Sequence, residues 1–160
     1  MIADNQSVVA DVEGTASYID GDADSAIDPG TGVEWYLDAN DERQVRQVGA
    51  NSKSKRVARE QRNPSRTLGS TGDSPLDDAY AAGDNLETVG FRRHDRARVR
   101  KSGNASAGPT DADGAWDENG KMTDEGGTTD GTNAPTEFVC RIVDEISRSG
   151  EDNLLVVEFY

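Results

Sequence analysis

The stretch from Ala79 to Lys101 constrains the fold of this chain more than any other part of the sequence. Within it, three arginines occupy every second position of residues 96–100, and small apolar residues fill the positions between them. A period of two gives one charged face and one apolar face, as in a half-buried strand. Upstream, Tyr80 to Asp84 (YAAGD) predicts a turn, because Gly83 accepts a positive φ and Asp84 can close a local side-chain turn. Residues 86–91, which lie between this turn and the alternating arginines, favour extended structure. We therefore expect an all-β fold.

Strand and turn signals of the same kind continue to the last residue. Asn119-Gly120 between Trp116 and Met122 is a strong hairpin signal. Two apolar runs follow, at residues 138–146 and 154–160, and the second must pair centrally or at an interface, since an exposed apolar edge would aggregate. We therefore predict a packed domain of short β-strands and turns over residues 77–160. Four apolar residues are assigned to its core or to a subunit interface: Phe138, Leu154, Val156 and Phe159.

The first 50 residues are predicted to be an acidic segment with a short hairpin. Val33–Leu37 has the composition of a strand, residues 38–41 form its turn, and residues 44–48 supply the partner strand. A further short strand is predicted at residues 7–12. We expect the aromatic side chains of Trp35 and Tyr36 to fill a core or an interface; stacking on nucleic-acid bases is the alternative.

Residues 51–76 are predicted to be an extended basic arm. The segment from Asn51 to Ser74 has almost no apolar content, and Pro64, Gly69 and Gly72 interrupt regular structure. Such a segment cannot bury enough surface to order itself and is expected to become ordered on a partner. A protein partner is favoured over nucleic acid, because the basic residues have no aromatic residues between them.

The net charge of -14 comes from 31 acidic and 17 basic residues, arranged in blocks of opposite sign. Residues 1–42 carry eleven acidic residues and no basic one, whereas the basic residues concentrate in 43–66 and 92–101. This arrangement indicates that acidic and basic blocks meet, within one subunit or between subunits. An acid-rich, lysine-poor chain suits very high salt, where the Debye length falls to roughly 3 Å at 1 M. An ordinary acidic, partly disordered protein is the alternative.

Two acidic loops resemble the start of a calcium-binding loop. In the first, Asp20 to Asp28, the sixth position is Ser25 and the twelfth is Thr31, where a calcium loop needs glycine and glutamate. The second, Asp111 to Asp117, lacks a glutamate at its end. A solvated acidic loop and a hairpin tip explain them better, and no cofactor or metal is predicted.

The sequence contains no recognisable catalytic set. His94 is the single histidine, and no serine or cysteine motif accompanies it as a nucleophile, so an exposed or interfacial histidine is expected. Cys140 is the single cysteine and lies in an apolar run, which favours a buried core residue. No apolar run approaches a membrane span, and no signal peptide is recognised. We expect a non-enzymatic protein that is assembled in the cytoplasm.

From Tyr80 onward the sequence resembles the small capsid decoration (cement) proteins of tailed viruses. The resemblance covers about half of the chain and depends on the order of short motifs. These are Tyr80 to Asp84, Asn119-Gly120-Lys121, Ala134-Pro135, Ile142 to Glu145 and Leu154 to Phe159. Residues 56–64 (RVAREQRNP) look like the arm that often precedes that domain.

The resemblance implies a β-barrel of the β-tulip kind, often a homotrimer, that binds the outside of an icosahedral shell without enzymatic activity. The partner is then the major capsid protein, the location is the virion, and the salt-adapted composition indicates a virus of halophilic archaea. A head–tail connector, a tail protein, a calcium-binding adhesin module or a nucleic-acid-associated protein are the alternatives. Six residues of the arm would contact the shell, the arginines through its carboxylates and the leucines through apolar sites: Arg56, Arg59, Arg62, Arg66, Leu68 and Leu76.

Overall fold

The computed structural model describes residues 17–60 and 75–160, and this part of the chain is built from β-strands, loops and one short 3-10 turn. The turn is Pro75–Asp77. The strands in these two ranges are β1 Ser17–Ala23, β2 Val33–Leu37, β3 Arg43–Gln47, β4 Arg56–Ala58, β5 Asn85–Gly90, β6 Arg96–Arg100, β7 Asp113–Trp116, β8 Met122–Asp124, β9 Cys140–Ile146 and β10 Leu154–Phe159. The predicted all-β class is confirmed.

The first sheet has the strand order β2-β3-β1-β5-β4. β2 and β3 form the predicted antiparallel hairpin, in which Trp35 pairs with Val45. The Asp38 carboxylate accepts hydrogen bonds from the backbone N–H groups of Asn40 and Glu42, which closes the turn between these strands. β1 runs parallel to β3 and antiparallel to β5. The N-terminal segment therefore does not form a hairpin alone; its sheet is completed by a strand from residues 85–90.

The second sheet has the order β6-β10-β9-β7-β8, and all its neighbouring strands are antiparallel. The apolar strand β10 lies between β6 and β9, which confirms the prediction that it pairs centrally. β7 and β8 flank the predicted hairpin, where Gly120 has a φ of 65°. The buried carboxylate of Asp117 accepts the N–H groups of Asn119 and Lys121, both at 2.8 Å, and so fixes this turn.

Each sheet curls until its own two edges approach each other at one isolated bridge. Gly32, just before β2, bridges Val57 in β4, and Lys101, just after β6, bridges Met122 in β8. One bridge is not a continuous ladder, so neither sheet closes into a barrel within the described residues. The expected barrel is thus replaced by two five-stranded, curled sheets.

The core consists of two apolar clusters, and the larger one joins the two sheets. The smaller lies inside the curl of the first sheet and contains Ala23, Ile27, Val33, Val45, Ala58, Tyr80 and Leu86. The larger fills the second sheet and also includes Val57 and Val89, which belong to strands of the first sheet. Since consecutive strand residues point to opposite faces, β4 contributes Ala58 to one cluster and Val57 to the other. The two sheets therefore share one continuous packing interface.

A buried ion cluster lies where the sheets meet. Arg100 is 2% exposed, and its guanidinium donates to the backbone oxygens of Pro29, at 2.8 Å, and Leu76. Asp77 and Asp152 lie at 3.4 and 3.7 Å from it. The predicted alternation over 96–100 is confirmed for Ala97 and Val99, but Arg100 is not on a solvated face. Arg100 shares the face of β6 with Arg96 and Arg98, but at this end of the strand that face is covered by Pro29 and by the Pro75–Asp77 turn.

Several residues lie elsewhere than expected. Leu76 is 0% exposed and belongs to the larger cluster, so it cannot insert into an apolar site on another protein. Phe138 is 36% exposed and precedes β9, whereas the next two residues, Val139 and Cys140, are buried. Leu154 and Phe159 are buried in the core, whereas Val156 is half-buried.

Candidate docking surface

The two residues with the most reactive side chains are not arranged for catalysis. Burial raises the pKa of the Cys140 thiol, and its Sγ contacts the sulfur of Met122 at 3.7 Å. His94 is exposed in a turn, where its Nδ1 lies 3.4 Å from Glu158. A buried neutral thiol is not a nucleophile, and an imidazole paired with a carboxylate in open solvent has no neighbouring group to activate.

The acidic loops do not converge on a metal site. Within residues 17–60 and 75–160, no group of three or more His, Cys, Asp or Glu side chains is placed to hold an ion. Asp20 and Asp22 lie in β1, where they point away from Gly21 and Ala23 on the buried face. In that same part of the chain, no helix is long and apolar enough to cross a membrane.

Three of the six basic residues of the second basic block, residues 92–101, contact carboxylates of the same subunit. Arg96 contacts Glu158 at 3.1 Å, Lys101 contacts Glu145 at 2.7 Å, and Arg100 belongs to the buried cluster. The acidic and basic blocks therefore meet inside one chain at this position.

The first basic block is divided. Arg46 pairs with Glu34 at 2.8 Å and Arg59 pairs with Glu87 at 2.6 Å, so both have internal carboxylate partners. Arg43 and Arg56 have no carboxylate within 4.0 Å in the described ranges. Within those ranges the two arginines therefore form a local excess of positive charge.

These two arginines lie beside exposed apolar side chains at one end of the first sheet. Val33, Trp35 and Leu37 occupy the same face of β2, and their exposed fractions are 0%, 43% and 54%. The apolar face therefore continues beyond the core into solvent. The Arg43 guanidinium carbon lies 5.4 Å from the centre of the Trp35 ring, within the range of a cation–π interaction. Trp35 does not fill the core, because its side chain is nearly half exposed; of the two predicted locations, only an interface agrees with this position.

We call this region the open end of the first sheet, defined by Trp35, Leu37, Arg43, Lys53 and Arg56. A shallow depression of about 320 Å³ lies within it. Its lining is formed by Glu34, Trp35, Ser52, Lys53, Ser54 and Arg56. Lys53 is highly exposed, and its Nζ lies 3.8 Å from Glu137, too far for a strong pair.

Arg56 is held in a defined position within the open end. Its guanidinium donates to the backbone oxygen of Ser17 at 3.2 Å and to Oγ1 of Thr88 at 3.0 Å. A Cβ at Gly90, its partner across the strands, would lie 2.5 Å from Nη2, so the guanidinium occupies the space that a side chain at position 90 would fill. Burial, and then repulsion from Arg43, lowers the pKa of Arg56. An anion placed between these arginines would relieve that repulsion.

The predicted arm residues fall into three groups. Arg56–Ala58 is strand β4, paired with β5, so the beginning of the predicted arm is an integral part of the first sheet. Arg59 is paired with Glu87, and Leu76 is buried in the larger apolar cluster. Arg62, Arg66 and Leu68 lie outside the described residues, as does the strand predicted at residues 7–12.

Three members of the open end were not predicted from the sequence as site residues: Leu37, Arg43 and Lys53. The sequence signal available was that the apolar alternation of Val33, Trp35 and Leu37 continues up to the turn. In a strand whose apolar side chains are all in the core, the position next to the turn would instead be polar. The approach of Arg43 to Arg56 had no sequence signal, because it depends on how β3 and β4 are placed in one curled sheet.

Comparisons with known proteins give a likeness of fold. No protein-family model matches the sequence, and no curated protein matches it. The structure is similar to the crystal structure of the head fiber gp8.5 N base in bacteriophage phi29, with a TM-score of 0.52 and 10% sequence identity. The match covers 91% of this chain and 98% of that chain. At this identity the likeness establishes a shared all-β architecture over nearly the whole of both chains.

Proposed function

We propose that this chain is a structural protein of a virus particle that binds the outside of an icosahedral capsid as a decoration or cement protein. The observation that carries the proposal is the fold similarity to the N base of a phage head fiber across 91% of the chain. By its name, that protein is part of a fiber on the head of bacteriophage phi29. The motifs shared with capsid decoration proteins from Tyr80 onward point to the same part of a virion.

The chemistry of the described residues supports a binding role rather than catalysis. The single cysteine is buried, and the single histidine is exposed in a turn without a nucleophile beside it. The exposed aromatic and basic side chains of the open end are instead of the kind enriched in protein interfaces. The proposal therefore includes no enzymatic activity.

The proposed assembly is a homotrimer bound to the major capsid protein at a symmetry axis. Three identical surfaces on one trimer bind a symmetric shell by multivalency, so contacts that are weak one by one give a stable complex. The acid-rich, lysine-poor composition supports a particle that works in very high salt, such as a virus of halophilic archaea.

Light scattering and co-sedimentation test this function. The purified chain is measured in about 1 M KCl, where surface charges are screened, and is then sedimented with shells of its source virus assembled without it. A trimer that co-sediments with the shells is the expected result. A monomer that stays in the supernatant would contradict both parts of the proposal, and a shift of a DNA fragment at the same salt would favour the nucleic-acid alternative.

A segment replacement tests the contribution of the part of the arm outside the described residues. Because residues 51–60 include strand β4 of the first sheet, the replacement is confined to 61–74, exchanged for a glycine-serine linker of equal length. We expect shell binding to be lost while the thermal unfolding temperature is retained. Full shell binding by this variant would show that Arg62, Arg66 and Leu68 make no contact with the shell.

A further inference from the structure

We propose that the open end of the first sheet is a binding site for an extended, acidic segment of a partner protein, which adds to the free edge of β2. The partner intended is the capsid shell, and that identity rests on the function proposed above. The binding chemistry, a carboxylate flanked by apolar side chains, follows from the described residues alone.

The edge of β2 can accept another strand. β2 is the terminal strand of its sheet and, in the described part of the chain, pairs along its length only with β3. Beyond Val33, whose backbone oxygen accepts a hydrogen bond from Ser54, the side facing away from β3 opens onto the depression. An extended peptide forms main-chain hydrogen bonds with such an edge and presents alternate side chains to one face.

The face beside that edge selects the side chains. Trp35 and Leu37 offer apolar contact, while Arg43 and Arg56 offer guanidinium groups without carboxylate partners in the described ranges. Arg56 is already fixed by Ser17 and Thr88, so little conformational entropy is lost when it binds an anion. A segment with an acidic residue between two apolar residues on one face is therefore complementary to this surface.

The surrounding charge disfavours nucleic acid as the occupant. Asp38, Asp41 and Glu42 lie in the turn that follows Leu37, and Glu34 is among the residues that line the depression. A single carboxylate beside the Trp35 ring can interact with Arg43, which lies over the ring, and with Arg56, which lines the depression, whereas a run of phosphates would meet these acidic side chains. Charge complementarity therefore favours a protein segment with isolated acidic residues over nucleic acid as the occupant.

A peptide probe tests the site directly on the full-length chain. The probe is acetyl-Thr-Val-Thr-Glu-Thr-Leu-Thr-amide, which places valine, glutamate and leucine on one face of a strand; its control has glutamine for glutamate. Trp35 is 43% exposed and Trp116 is fully buried, so a change in tryptophan emission reports on the open end. We expect the glutamate peptide to bind about tenfold more tightly than the glutamine peptide, since hydrogen bonds to a charged group are the stronger ones.

Three variants complete the peptide experiment. Arg43→Gln and Arg56→Gln are each expected to remove about tenfold of the affinity for the glutamate peptide. Arg141→Gln, an exposed arginine of the second sheet, removes the same charge and should leave binding unchanged. Arg43 is exposed, so its variant remains informative if Arg56→Gln is poorly folded. Equal binding of the two peptides, unchanged affinity in Arg43→Gln, or tighter binding of an eight-nucleotide oligothymidylate would each overturn the proposal.

The shell assay separates this inference from the proposed function. If wild type co-sediments with shells and Arg43→Gln does so more weakly than Arg141→Gln, the inference is supported with the shell as partner. If all three co-sediment equally, the site is wrong and the proposed function stands. If wild type does not co-sediment, the proposed function fails, and the peptide measurements decide the site alone.

Discussion

The indole ring of Trp116 packs directly against the backbone of Gly32, so closely that a Cβ atom at position 32 would lie 2.8 Å from two ring carbons. Trp116 ends β7 in the second sheet, and Gly32 bridges Val57 where the first sheet curls back on itself. The indole N–H donates to the backbone oxygen of Ser54 at 2.8 Å. One buried aromatic residue of the second sheet therefore supports the point at which the first sheet nearly closes.

Substituting Gly32 by alanine is expected to destabilise the protein by about 1–3 kcal/mol, the range for overpacking a close-packed core. The new methyl group must displace either the Trp116 ring or the bridge to Val57. Gly49→Ala is the matched control, because a Cβ at Gly49 meets nothing within 4 Å. Urea denaturation measures both variants. Equal midpoints for the two would show that the indole does not constrain position 32.

Substituting Arg100 by methionine is expected to destabilise the protein by about 3 kcal/mol, as for the loss of one partner of a buried ion pair. The change leaves the Leu76 and Pro29 carbonyl oxygens without their donor and Asp77 with one cation fewer. Arg141→Met is the control, since the 3.4 Å contact of Arg141 with Asp111 is exposed. If thermal unfolding shows the same loss in both variants, the buried cluster is not what joins the sheets.

Stability is expected to decrease in acid. Hydrogen bonds from Arg96 and His94 lower the pKa of Glu158. Burial raises the pKa of Glu145, but hydrogen bonds from Lys101 and Asn153 outweigh it and lower the pKa below its usual 4.5. A carboxyl group with a lowered folded-state pKa contributes stability above the unfolded pKa, and this contribution is lost as the pH falls through the folded value. The urea midpoint should therefore decrease below pH 4.5, and less steeply in Glu145→Gln; identical profiles for the two proteins would contradict the assignment.

Stability is expected to increase with salt. At a net charge of -14 the folded chain repels itself, and raising KCl from about 0.1 M to about 1 M shortens the Debye length from roughly 10 Å to roughly 3 Å. The Arg100 cluster is buried and is screened much less than surface charges. Scanning calorimetry should show a rising unfolding temperature over this range. A falling temperature would mean that exposed ion pairs outweigh self-repulsion and would argue against adaptation to high salt.

The sequence predicted local elements well where a periodic pattern and a turn signal coincided. β2 and β3 with their aspartate turn, the strands following Gly83, the hairpin at Gly120 and the central position of β10 all follow from such signals. β1 was missed, although Ile19, Gly21 and Ala23 alternate with polar residues. The alternating aspartates were interpreted as the start of a cation-binding loop. The same alternation is also the pattern of a half-buried strand.

By itself the sequence determined the all-β class and most strand positions, because alternation and turn chemistry act over a few residues. Only the tertiary structure decided which strands became neighbours, since those contacts join distant residues. It brought β5 to β1 and β4, buried Arg100 and Leu76 between the sheets, and left Phe138 ahead of its strand. The open end arose in the same way, because Arg43 and Arg56 approach each other only when their strands lie in one curled sheet.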